Sequence, residues 1–86
     1  MARVIIYTTQ YCPFCVRAKR LLQERGIAYD EIDVGDDDAL RTDLVQRTGR
    51  QTVPQIFIDG RSIGGFEELA ALDETQQLDH LAVQDG

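Results

Sequence analysis

Lysine and arginine are absent after Arg61, although six acidic residues follow. Through residue 61, nine basic and nine acidic groups balance, so the formal charge of −6 comes wholly from the C-terminal quarter. With no basic stripe to release counterions from phosphates, nucleic-acid binding is disfavoured. The acidic segment reads as a solvated helix face. Long hydrophobic runs are missing too. No stretch approaches the ~20 apolar residues of a membrane helix. Met1-Ala2-Arg3 leads straight into a short strand-like run, without the apolar segment of a signal peptide. The expectation is a cytoplasmic protein with no membrane contact. Cysteine is scarce, at two residues, and histidine scarcer, at one. A zinc site needs four ligands, and only His80 could join the cysteines, so no metal is expected. Repeats, linkers and low-complexity tracts are also absent. The 86 residues are expected to form one domain, with a core over about 3–82 and a frayed C-terminal tail.

What is present is concentrated at Cys12-Pro13-Phe14-Cys15. The two thiols lie one helical turn apart, directly after the apolar run Val4-Ile5-Ile6-Tyr7. A strand that ends this way and runs into a helix presents the first sulfur at the helix N-terminus. Unpaired N–H groups and the positive end of the macrodipole favour a thiolate there. Closing two intervening residues removes little chain entropy, so the pair is a poor structural staple. A thiolate beside a second thiol is instead the working part of a disulfide exchanger.

The surrounding pattern places this pair. Arg3 to Thr8 reads as a buried β-branched strand. Residues 13–25 read as a helix, with Pro13 at its first position, Phe14, Ala18, Leu21 and Leu22 on one stripe, and Gly26 as the C-terminal cap. Ile27 to Val34 reads as a second strand with Tyr29 and Ile32 inward. Gly35-Asp36-Asp37-Asp38 makes a turn and N-cap for a helix that runs to about Thr48, with Leu40, Leu44 and Val45 inward and Gly49 ending it. Asp36 to Asp38 are a cap and not a calcium loop, since no repeated oxygen-ligand spacing follows. Pro54 to Ile58 and Arg61 to Ile63 flank Asp59-Gly60, a hairpin signal. Phe66 to Leu72 and Thr75 to Val83 read as helical. The order β-α-β-α-β-β-α predicts an α/β fold: a four-stranded mixed sheet flanked by helices, with the first two strands parallel.

Three segments, Cys12-Pro13-Phe14-Cys15, Thr52-Val53-Pro54-Gln55-Ile56-Phe57-Ile58 and Ile63-Gly64-Gly65-Phe66-Glu67-Glu68-Leu69, resemble the signatures of a dithiol glutaredoxin of the compact bacterial type. They stand in that family's order and spacing. The resemblance implies a thioredoxin-like fold and glutathione-dependent reduction of protein disulfides and of protein–glutathione mixed disulfides. It implies catalytic roles for Cys12 and Cys15, with Cys12 the nucleophile. It also implies a cis Pro54, a structural role for Pro13 and Gly64, and glutathione as co-substrate with no tightly bound cofactor. The chain has no dinucleotide motif, so electrons would come through glutathione and an outside reductase.

The resemblance further implies a glutathione groove made of Phe14, Arg41, Thr52, Val53, Pro54, Gly65, Phe66 and Glu67. Thr52 and Val53 would give a backbone edge to an extended peptide, as an added strand does. Arg41 stands where the family has a cation or glutamine for the glycyl carboxylate. Gly64-Gly65 opens a helix whose N-terminus attracts a carboxylate, and Glu67 takes the place of an Asp that receives the γ-glutamyl ammonium. Three residues depart from the family's common pattern: Phe14 for Tyr, Thr9 for Lys and Glu67 for Asp. Expected partners are glutathione and disulfide-containing or glutathionylated proteins, ribonucleotide reductase among them, met by a monomer. Two further readings stay open. One is an iron–sulfur carrier bridging two chains, which Pro13 and Cys15 disfavour. The other is a reductase donor fed by thioredoxin reductase, which the groove residues disfavour.

Overall fold

The computed structural model describes residues 3–78. Seven elements follow one another: β1 (Val4–Thr8), α1 (Pro13–Glu24), β2 (Asp30–Asp33), α2 (Asp38–Thr48), β3 (Gln55–Ile58), β4 (Arg61–Gly64) and α3 (Phe66–Glu74). The strands form one mixed sheet in the order β2-β1-β3-β4. β1 runs parallel to β2 and antiparallel to β3, and β3 pairs antiparallel with β4. This is the expected α/β fold of thioredoxin-like type.

Alternation along β1 explains how helices come to cover both faces. Val4 and Ile6 point to one side, where Ala18 and Leu22 of α1 and Leu69 of α3 close a core with Ile27, Ile56 and Leu78. Tyr7 points to the other side, against Val34, Phe57 and Leu44 of α2. Tyr7 and Phe57 meet edge to face at 5.5 Å, and the Arg47 guanidinium lies 4.4 Å from the Phe57 ring centroid.

The helix ends follow the sequence signals. Asp37 caps α2, its carboxylate accepting the Leu40 N–H at 2.9 Å, and Gly49 ends the helix in the left-handed region at φ 72°. α1 ends in two reverse bonds, Gly26 N–H to the Gln23 carbonyl and Ile27 N–H to the Leu22 carbonyl. That motif brings Ile27 onto Leu22 in the core. It also corrects the second strand. The Ile27 N–H is already committed to the helix end, so β2 starts at Asp30 and not at Ile27.

Other expectations are corrected. Tyr29 and Ile32 are both partly buried but pack on opposite cores, as an odd spacing in extended chain requires. Leu40, one turn before the buried Leu44 on the same face of α2, is exposed. α3 continues to Glu74, and Thr75 to Leu78 form turns in place of the start of a further helix; the remainder of that expected helix, with His80, lies outside the described residues. Asp59 and Gly60 both have positive φ, at 52° and 81°, which matches the right-handed twist of the hairpin they join.

Candidate active site

β1 and the turn after it carry Cys12 to the start of α1. Cys12 is the N-cap, with extended backbone, and Pro13 follows at N1, where a missing N–H costs nothing. The Cys12 sulfur therefore does what a capping oxygen usually does. It accepts the Cys15 N–H at 3.1 Å. On its other side the thiol donates to the Val53 carbonyl at 3.5 Å. Both cysteines are free thiols.

The two sulfurs live in different surroundings. Cys12 is partly exposed, whereas Cys15 is 1% exposed. Burial pushes the Cys15 thiol up to about 12, and its hydrogen bond to Cys12 adds to the rise. The backbone N–H of Thr9 works the other way by pointing at the Cys15 sulfur. A thiolate is the reactive form of cysteine, so Cys15 is inert until something changes around it.

Beside Cys12 lies a groove of about 250 Å³. Thr52, Val53 and Pro54 line one side of it, and the Val53–Pro54 peptide is cis. Gly65, Phe66 and Glu67, at the start of α3, line the other side. Phe14 joins the wall. The sequence placed Phe14 on the inward stripe of α1, but it is 48% exposed. Its ring leans toward Phe66 at 6.3 Å between centroids, with the Arg17 guanidinium 5.5 Å away. Of the expected stripe, Ala18 and Leu22 are fully buried in the core, while Phe14 at the start of α1 faces the groove. Tyr11, just before Cys12, is 94% exposed.

Arg41 lies apart from this groove. It lines two adjoining clefts, one with Thr52 and Val53 and one with Thr9 and Tyr11, and Val53 borders all three spaces. Gly64 is buried at φ +105°, where a Cβ would strike the Glu68 carboxylate. At Gly65 a Cβ would lie 3.1 Å from the Pro54 carbonyl, so a bare backbone is what lets β4 and α3 approach the cis proline.

Two residues of the groove escaped the sequence reading. Arg50 and Glu68 both line it, and they form an ion pair at 2.8 Å. Glu68 also accepts the Gly65 N–H at 2.7 Å, which caps α3 in reverse. The signal for Glu68 was present, as an acidic residue three after a glycine N-cap. Arg50 had none, since a loop arginine looks like any surface cation. Among the described residues, no group of three or more His, Cys, Asp or Glu side chains could hold a metal ion, and no helix is long and apolar enough to cross a membrane.

A capped sulfur at a helix start, a second buried thiol one turn on and a cis proline opposite define a thiol–disulfide oxidoreductase of thioredoxin-like fold. The family pattern described as Glutaredoxin matches residues 4–63. Glutaredoxin 3 of Escherichia coli (strain K12) is 48% identical over 81 residues, which cover 94% of this chain and 98% of that protein. Among solved structures, the solution structure of glutaredoxin from Brucella melitensis is similar with a TM-score of 0.84 and 46% identity, covering 94% of this chain and 88% of that one. The buckwheat glutaredoxin–glutathione complex gives a TM-score of 0.86 at 30% identity, covering 93% of this chain and 76% of that one. The chain belongs to the glutaredoxin family, the glutathione-dependent thiol–disulfide oxidoreductases, and carries both cysteines of a dithiol member.

Proposed function

We propose that this glutaredoxin reduces protein–glutathione mixed disulfides and protein disulfides, with Cys12 as nucleophile and Cys15 as resolving thiol. The observation that carries the proposal is the asymmetry of the two sulfurs. Cys12 is reachable and receives a helix N–H, while Cys15 is enclosed and protonated.

On a mixed disulfide, the Cys12 thiolate attacks the glutathione sulfur. A Cys12–glutathione disulfide forms, and the target protein leaves as a thiolate that takes up a proton. A second glutathione thiolate then attacks the bound glutathione sulfur, which frees Cys12 and yields oxidised glutathione. On a protein disulfide, Cys12 first forms a mixed disulfide with the target. Cys15 attacks the Cys12 sulfur, releases the reduced target and leaves a Cys12–Cys15 disulfide for two glutathiones to reduce. The protein's own residues position and stabilise, and the electrons come from glutathione.

The groove suits glutathione in an extended pose, the ligand that the similar buckwheat protein binds in its complex. The Thr52-Val53 backbone pairs with the cysteinyl unit as an edge strand would. Phe14 and Phe66 give the apolar wall, and Gly65 and Phe66 present the α3 N-terminus to the γ-glutamyl carboxylate. Glu67 receives the γ-glutamyl ammonium. Arg41, across Val53, is the cation for the glycyl carboxylate, and Pro13, Pro54 and Gly64 hold the frame. The protein acts as a cytoplasmic monomeric domain on disulfide-containing or glutathionylated proteins, and the dithiol route admits ribonucleotide reductase as a target.

A coupled assay tests the electron source. Run with glutathione and glutathione reductase, the protein turns over a glutathionylated substrate. Run with thioredoxin reductase alone, it does not. Turnover only in the second system overturns the glutathione assignment.

A further inference from the structure

Cys15 must lose its proton before it can attack Cys12, yet burial holds that proton on. Besides the Thr9 N–H, one group opposes burial: the Lys19 ammonium, four residues further along α1. That spacing puts Lys19 on the same helix face as Cys15, one turn on. Lys19 is not a swinging surface cation. Its side chain is 28% exposed, and its Nζ donates to Glu31 at 3.0 Å. The same Glu31 oxygen accepts the Thr8 hydroxyl at 2.7 Å, and Thr8 is buried at the end of β1. A chain of polar contacts thus crosses β1, β2 and α1 and ends one turn from the resolving sulfur. The mechanism above uses none of its members.

We infer that Lys19, clamped by Glu31 and Thr8, is a positioning residue for the resolving step, its ammonium stabilising the Cys15 thiolate as it attacks the Cys12–glutathione disulfide. The inference rests on the dithiol route proposed above. In this step the bond between Cys12 and glutathione sulfur breaks and the Cys12–Cys15 bond forms. Glutathione leaves as a thiolate that takes up a proton, while the Cys15 proton passes to water. No outside oxidant or reductant is consumed.

Geometry gives the clamp its purpose. A freely moving exposed ammonium is screened, whereas a fixed, half-buried one keeps its effect at short range. The Glu31 bond also holds the Lys19 proton more firmly than usual. The groups facing Cys15 are the Cys12 sulfur from the helix start, the Thr9 N–H from the preceding loop and Lys19 from its own helix. Glu31 and Tyr29, from the β2 side, act on Lys19.

The test isolates this step. Protein glutathionylated at Cys12 is moved into buffer without free glutathione, and glutathione release is followed from neutral to alkaline pH. Release in excess of that from the Cys15→Ser variant under the same conditions measures attack by Cys15. Lys19→Met should slow release at neutral pH by roughly threefold, because losing the cation shrinks the Cys15 thiolate fraction while greater nucleophilicity returns part of the loss. The pH profile should move to the alkaline side, and Lys19→Arg should restore it. Turnover of a mixed disulfide driven by excess glutathione, which bypasses Cys15, should stay within about twofold. Should Lys19→Met lose its fold, Lys19→Gln carries the same comparison. A profile in the variant that overlays the parent overturns the role of Lys19. Failure of the parent itself to release glutathione overturns the dithiol route, and the inference with it.

Discussion

Arg50 and Glu68 meet at 2.8 Å beside the groove, through the same carboxylate oxygen that accepts the Gly65 N–H at 2.7 Å. One atom therefore ties the loop before the cis proline to the first turn of α3, the two walls between which a ligand must lie.

This double use predicts a stability effect with a defined pH window. The Gly65 N–H, and after it Arg50, lower the Glu68 pKa from its ordinary value. A depressed acid stabilises the fold fully above the ordinary glutamate value of about 4.3 and loses that contribution as pH falls through the lower folded value. Glu68→Ala should cost about 1 kcal/mol at neutral pH, the worth of a helix cap, with little added by the exposed ion pair. Denaturant melts at neutral and acidic pH check this. An equal difference between parent and variant at both would contradict it.

Gly64 is held at φ +105° with its missing Cβ aimed at the Glu68 side chain. Gly64→Ala should therefore cost about 1–3 kcal/mol through backbone strain. Because the methyl displaces the Glu68 cap, combining it with Glu68→Ala should cost less than the sum of the two. A double-mutant cycle read by thermal or denaturant unfolding measures this, and strict additivity would show that the two sites do not touch.

The contrast between the sulfurs predicts selective labelling. Native protein treated with iodoacetamide at mildly alkaline pH should take up label at Cys12 and leave Cys15 unmodified, because burial pushes the Cys15 thiol up to about 12. Unfolding in denaturant should expose the second site. Peptide mapping that finds equal labelling of the native thiols would contradict the burial argument.

Much of this was legible in the chain. β1 announces itself as a β-branched run, Pro13 and Gly26 bracket α1, and Asp37 and Gly49 bracket α2, because each signal is local. The start of β2 was not, since the Ile27 N–H is claimed by a helix end that periodicity cannot see. Phe14 and Leu40 obey the helical period yet are exposed, because periodicity alone does not show which turns of a helix a neighbouring element covers. The three motifs gave most of the groove. Glu68 carried a local signal in its spacing from Gly65, but its pairing with Arg50 and the Lys19–Glu31–Thr8 chain were invisible, as each depends on contacts between segments distant in sequence.

The division of labour between the two thiols is tested most directly by a pair of serine variants in two assays. Cys12→Ser should lose both mixed-disulfide turnover and protein-disulfide reduction. Cys15→Ser should keep glutathione-driven turnover of mixed disulfides and lose reduction of protein disulfides. If Cys15→Ser alone abolished mixed-disulfide turnover while Cys12→Ser retained it, the buried sulfur would be the nucleophile and the account of this site would be wrong.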